Sequence, residues 1–171
     1  MVKEKNESFD DDFDDDDDES VSENQFLTFK VDSENYGINI MQVVEIIRMI
    51  KITEVPHTYQ FIKGIINLRG KIIPVMDIRI RFGIPEKDYD ERTCIIVTNM
   101  KDVDMGIIVD RVSEVVEVLE SQIDPMPKIN NKNAQKYVKG IGKVGDEIKI
   151  LLDLDRLLFN EELETIKQIQ S

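Results

Sequence analysis

Tryptophan is absent from the 171-residue chain, and aromatic residues make up only 6% of it. With so few rings, Ile, Val and Leu must carry any core. The stacking platforms of RNA-binding β-barrels also have little to be built from. Cys94 is the single cysteine, so no disulfide can form within the chain, and His57 is the single histidine. No apolar run approaches the roughly 18 residues that a membrane helix requires, and the N-terminus has no leader-like apolar stretch. A reducing, cytoplasmic setting is the expectation.

Positive charge is outnumbered, with 22 Lys and Arg against 35 Asp and Glu. The formal net charge is −13, but residues 1–23 hold 12 acids and two lysines, a net of −10, leaving −3 on the rest. The body is nearly balanced and lacks the basic face that phosphate binding demands. In residues 1–23, Val2, Phe9, Phe13 and Val21 are nearly the only apolar side chains. Such a segment cannot offset its own chain entropy and is expected to be a disordered, solvated tail. Its Asp run has neither the Gly turn nor the closing Glu of a calcium loop.

What the chain has instead is a repeat. The segment Tyr36-Gly37-Ile38 through Val43-Val44-Glu45-Ile46-Ile47 returns 69 positions later as Met105-Gly106-Ile107 through Val112-Ser113-Glu114-Val115-Val116. Phe61-Ile62-Lys63-Gly64-Ile65 returns 76 positions later as Tyr137-Val138-Lys139-Gly140-Ile141. In each copy an apolar run ending in Asp77 or Asp153 follows. Blocks in constant order with growing spacing mark a duplicated unit. No nucleophile, metal cluster or phosphate loop recurs with them, which points to a binding module.

β-branched residues dominate short runs separated by turn clusters. Gln25–Val31 and Tyr36–Ile40 read as a hairpin around 32–35, and Met41 to Val44 as one helical turn before a strand at 45–47. Ile62–Leu68 and Lys71–Ile78 read as a hairpin around Arg69-Gly70. Pro74 predicts that its strand is an edge or carries a break. A loop is predicted at 83–91, and strands at 93–98, 105–110, 114–119 and 148–154. A long loop is predicted after Pro125, and a helix at 161–169. About five strands per half predict two small barrels, roughly residues 24–85 and 92–160, with strands open to exchange between them.

The candidates for chemistry are few. His57 follows Pro56 in a loop with no orienting carboxylate or nucleophile in any recognisable pattern. Cys94 lies among β-formers, where a free cysteine packs as a small hydrophobe. The recurring Gly37, Gly64, Gly106 and Gly140 read as places where packing or backbone geometry excludes a Cβ. Val43 and Glu45 recur as Val112 and Glu114, which is compatible with a structural role. Arg69 stands at a hairpin tip held by Gly70, and its planar fork suits carboxylates and backbone oxygens. A plain solvated turn is the alternative. The second copy reads Lys143-Val144-Gly145-Asp146 at that turn, so the copies diverge where they are exposed.

At these residues the chain resembles the CheW-like family of bacterial chemotaxis coupling proteins. The resemblance rests on Tyr36-Gly37-Ile38, Val43 to Ile46, Phe61 through Arg79 with its Gly64-Ile65-Ile66-Asn67-Leu68-Arg69-Gly70 core, and Gly106 through Val112. It covers about residues 24 to 160. It implies a mostly β fold of two intertwined five-stranded SH3-like barrels with a C-terminal helix. It also implies a non-enzymatic adaptor that joins the cytoplasmic tips of chemoreceptors to the histidine kinase CheA, without cofactor or metal, recruited to membrane receptor arrays. Val43, Glu45, Leu68, Arg69 and Gly70 then stand at receptor-contact positions, in a groove between the barrels. Ile40 stands where the family meets the kinase regulatory domain, and Lys128 and Ile129 form a second kinase contact that lacks an aromatic here. The regulatory domain of a CheA- or CheV-type protein is the related alternative, although 171 residues leave little room for the attached modules. A small hydrolase using His57 is the alternative from another class.

Overall fold

The computed structural model describes residues 23–126 and 135–170. Residues 1–22 of the acidic tail, the loop beyond Met126 and the kinase candidates Lys128 and Ile129 fall outside them. The described strands are β1 (Gln25–Val31), β2 (Glu34–Asn39), β3 (Val43–Arg48), β4 (Ile62–Leu68), β5 (Lys71–Asp77), β6 (Cys94–Met100), β7 (Val103–Val109), β8 (Arg111–Glu117), β9 (Ile123–Asp124), β10 (Val138–Val144) and β11 (Glu147–Leu152). A 3-10 turn, Ile40–Gln42, separates β2 from β3. A four-residue helix, Ile78–Arg81, follows β5, and a C-terminal helix runs over Asn160–Gln170.

The strands form two sheets, ordered β8-β1-β2-β11-β10-β9 and β3-β6-β7-β5-β4. Each sheet draws on both copies of the repeat. The first hairpin of copy one, β1–β2, sits in the sheet of copy two, and hairpin β6–β7 sits in the sheet of copy one. The foreign hairpin joins through a parallel seam: Tyr36 and Gly37 lie opposite Ile150 and Leu151, and Gly106 and Ile107 opposite Val75 and Met76. At these seams the recurring glycines make room for neighbouring side chains. A Cβ on Gly37 would lie 2.9 Å from Leu151 Cδ2, and one on Gly106 2.8 Å from Ile95 Cγ2. A Cβ on Gly64 would meet the Thr53 carbonyl oxygen at 2.1 Å, and one on Gly140 the Asp124 oxygen at 2.7 Å. The equal role of each matched pair is the repeat expressed in three dimensions.

Two expectations are adjusted. The second sheet has five strands, but the first gains a sixth, the two-residue β9, which runs antiparallel to β10. Pro74 is in neither an edge strand nor a break, because β5 lies between β7 and β4. Ile65, opposite Pro74, exchanges both its backbone hydrogen bonds with Thr53 at 2.8 and 2.9 Å. The pairing of β5 with β7 begins only at Val75. The donor that proline lacks is therefore not needed on either side.

Each sheet curls around a small apolar interior. Ile66, Ile73, Val75, Ile95, Val97 and Ile108 fill one, and Phe26, Val116, Val118 and Leu151 the other. The largest cluster lies between the sheets, and the scarce aromatics gather there. Phe29, Tyr36, Phe82 and Tyr137 follow one another with centroids 5.4–5.9 Å apart. Arg81 extends this column: its guanidinium lies 4.2 Å from the Phe61 ring and 5.2 Å from that of Tyr137, the two matched aromatics of the repeat. Its nitrogens donate to both Glu162 oxygens at 2.6 and 2.9 Å and to the Leu157 carbonyl at 2.9 Å. The C-terminal helix is thereby fixed across the place where the copies meet.

Arg79 makes a second clamp. It donates to both Asp110 oxygens at 2.6 and 2.9 Å and to the Pro85 carbonyl at 2.8 Å. Burial pushes the Asp110 carboxyl up, but Arg79 and the Asp32 amide outweigh it and hold the group below the usual range.

Arg81→Ala should lower stability by about 2 kcal/mol in urea unfolding, because the partly buried Glu162 carboxylate loses both Arg81 hydrogen bonds and keeps the one from the Phe159 amide. Asp110 titrates lower in the folded than in the unfolded chain, so its contribution is present above about pH 4 and is lost as pH falls through the folded value. Asp110→Asn should therefore cost about 1–2 kcal/mol at pH 7 and flatten the acid limb of the stability–pH profile.

Candidate functional site

The turn between β4 and β5 carries Arg69 and Gly70 with φ of 52° and 85°. Two successive positive values are the mark of a type I′ hairpin turn. Asn67 completes it by accepting a 2.8 Å hydrogen bond from the Gly70 amide. The turn raises Arg69 above the sheet, where its side chain is 71% exposed and ion-paired with Glu45 of β3. The two outer strands of the sheet, β3 and β4, are thus bridged across its mouth.

That mouth is a recess of about 270 Å³ lined by Val44, Glu45, Leu68, Arg69, Lys71, Ile73, Val97 and Asp104. Ile73 and Val97 are buried and form its floor. Arg69–Glu45 and Lys71–Asp104 are ion pairs on its rim. Lys71, with help from Asn99, holds the Asp104 carboxyl below its usual range. Val44 stands 55% exposed at the lip. A β-bulge explains its position. Val43 pairs with Thr98 and Glu45 with Val97, so Val44 is the extra residue, and both Val44 and Glu45 face the recess. An apolar floor inside a charged rim suits an amphipathic helix, which would set apolar side chains into the recess and polar ones against the rim.

The structure therefore brings Glu45, Leu68 and Arg69 together and places Gly70 in the supporting turn. Every lining residue belongs to the five-stranded sheet or to its β4–β5 turn, so this recess is the mouth of one barrel rather than a groove between two. Val43 faces the other way, against the core between the sheets, and Ile40 is half-buried against the same core. Sequence reasoning missed Val44, Lys71, Ile73, Val97 and Asp104. Val97 and Asp104 arrive on the exchanged hairpin, and Val44 is displaced by the bulge. The one available signal was the position of Lys71 and Ile73 just past the turn.

The family model for the CheW-like domain matches residues 25–162. The chain belongs to the CheW-like family. It is 39% identical over 145 residues to the chemotaxis protein CheW of Klebsiella aerogenes, covering 85% of this chain and 87% of that one. It is 34% identical over 150 residues to the chemotaxis protein CheW of Thermotoga maritima, covering 88% and 95%. Among solved structures, the scaffolding protein TtCheW from Thermoanaerobacter tengcongensis is 37% identical and superposes with a TM-score of 0.73 over 81% of this chain and 90% of its own.

In this CheW-like chain the second barrel mouth has a different character. Gly145 stands where Arg69 does, Glu114 where Glu45 does, Thr28 in place of Val97 and Lys149 in place of Ile73. Lys149 is 2% exposed and reaches Glu147 at 2.7 Å. Thr28 donates to the Glu114 carbonyl at 2.7 Å and accepts from the Glu114 amide at 3.1 Å. Polar side chains thus occupy the place where the first mouth has its apolar floor. Elsewhere, His57 is exposed at a φ of 60°, with no carboxylate bonded to it among the described residues. Cys94 is half-buried against the large core, a looser setting than full burial, with its thiol 3.3 Å from the Arg92 carbonyl. Among the described residues no group of three His, Cys, Asp or Glu side chains is placed to hold a metal. No described helix is long and apolar enough to cross a membrane.

Because the Arg69–Glu45 pair is solvent-exposed, it adds at most about 1 kcal/mol to stability. Arg69→Ala should shift the urea midpoint correspondingly little, whereas Ile73→Ala, which opens the floor, should cost about 2–4 kcal/mol.

Proposed function

We propose that this chain is a non-enzymatic chemotaxis adaptor that couples the cytoplasmic tips of chemoreceptors to the histidine kinase CheA, working in the cytoplasm at membrane receptor arrays. The observation that carries the reading is the open recess with Arg69 and Glu45 on its rim, present at one barrel mouth and filled with polar side chains at the other, in a chain of the CheW-like family. Receptor tips are helical, and the recess suits the apolar face of a helix. Arg69 sets register by trading its half-buried partner Glu45 for polar groups of the receptor. Leu68 and Gly70 shape the loop, and Val43 supports β3 from behind. Ile40, with Lys128 and Ile129, serves the kinase. Contacts of modest strength suffice, because an array raises the effective concentration of every partner.

Reconstitution with receptor and kinase tests this. At limiting adaptor, Arg69→Ala should need roughly tenfold more protein for half-maximal kinase activation, the equivalent of one 1.4 kcal/mol hot-spot contact. Its thermal melt should fall by no more than the few degrees that about 1 kcal/mol represents. Full activation by the variant at the wild-type concentration would refute the assignment.

A further inference from the structure

We propose that the acidic segment 7–19 docks in cis on a basic recess beside the 3-10 turn Ile40–Gln42. The recess, about 280 Å³, is lined by Lys101, Lys136, Asp155, Arg156 and Phe159 together with Leu158 and Asn160. Three cations face one lining carboxylate, and Asp155 is already bonded to Gln42 Nε2 at 3.2 Å. Lys101 lies 3.5 Å from the neutral Asn160 side chain, and among the described residues neither Lys101 nor Lys136 pairs with a carboxylate. Arg156 has Asp153 at 3.3 Å. The Phe159 ring is backed by Arg81 at 5.1 Å and stays 48% exposed. The site is therefore a cationic rim around an aromatic surface.

The occupant matches it. Residues 7–19 contain ten acids and no base, interrupted only by Ser8, Phe9 and Phe13. Phe9 and Phe13 give the segment two rings to set against Phe159, and the carboxylates answer the three cations. Chain geometry places the segment nearby. The Glu23 carbonyl accepts from Asn39 Nδ2 at 3.0 Å, and Asn39 is three residues from Gln42, which bridges to Asp155. Glu23 is ten residue steps from Phe13, a reach of up to about 33 Å. A second cationic recess, at Lys30, Lys87, Arg92 and Arg111, contains Asp32, Asp90 and Asp110 and lies at the far end of β1 from this exit. Arg79 already pairs with two of its three carboxylates, so its position, and not its charge, sets it behind the recess at Phe159.

A segment docked there lies against Met41, which is 60% exposed, and beside Ile40. It would therefore compete with a kinase for that turn. This consequence rests on the adaptor reading, whereas the docking itself does not.

The test uses the full chain carrying Ser8→Cys and Cys94→Ser, with a nitroxide on the new thiol and nitrogen-15 in the backbone. At about 0.02 M salt the amide signals of Lys101, Lys136, Arg156 and Phe159 should be selectively broadened. They should recover near 1 M salt, where screening acts within about 3 Å. Adding Lys101→Glu and Lys136→Glu should remove the broadening while other signals keep their positions. No selective broadening, or broadening centred on Lys30, Arg92 and Arg111, would overturn the proposal. So would equal broadening in a mixture of spin-labelled and nitrogen-15-labelled chains, since the occupant would then be a second copy. The salt titration alone decides the matter if the double variant fails to fold.

Discussion

Neither copy of the repeat closes a barrel with its own strands. The hairpin β1–β2 completes the sheet of the second copy, and β6–β7 completes that of the first, each through a parallel seam. Both interiors then depend on residues far apart in sequence, such as Phe26 with Leu151 and Ile73 with Ile95. Long-range pairing of this kind forms slowly, and it joins the two barrels so that neither is complete without the other. The large core between them follows from the same exchange. It is where the few aromatic rings are concentrated, with Arg81 between the matched Phe61 and Tyr137.

On this near-symmetric frame, function resides in what breaks the symmetry. The bulges, seams and close-packed glycines recur in both copies because they serve the fold. The turn residues do not recur. Arg69 and Gly70 form one hairpin tip, while the other has Gly145 followed by Asp146. Beneath the tips, the floor residue Ile73 has the buried Lys149 as its counterpart. A few substitutions thus give one open, charged-rimmed mouth and one with buried polar side chains. A duplicated scaffold can in this way offer different surfaces to different partners without changing its core.

Much of this was legible in the chain. β4, its turn and β5 fall where alternation and the Arg69-Gly70 pair put them, and the helical turn near Met41 and the C-terminal helix also agree. The repeat exposed the matched glycines because a missing side chain is recorded in sequence as plainly as a large one. Other features were not legible, for reasons that are local and physical. Pro74 occupies a central strand because its neighbour Ile65 bonds elsewhere, which no rule about proline alone can convey. The bulge at Val44 defeats a two-residue alternation. Val97 and Asp104 reach the recess only through the exchanged hairpin. Arg81 reads as an ordinary cation until Phe61, Tyr137 and Glu162 are brought around it.

The central claim is that the mouth of the five-stranded barrel receives a helical receptor segment. The most direct measurement is amide chemical-shift mapping of the full chain titrated with a helical-hairpin fragment of a chemoreceptor tip. The account predicts saturable shifts at Val44, Glu45, Leu68, Arg69 and Val97, with the equivalent positions Thr28, Glu114 and Gly145 unmoved. Binding that shifts the second mouth instead, or leaves the Arg69 turn untouched at saturation, would contradict it.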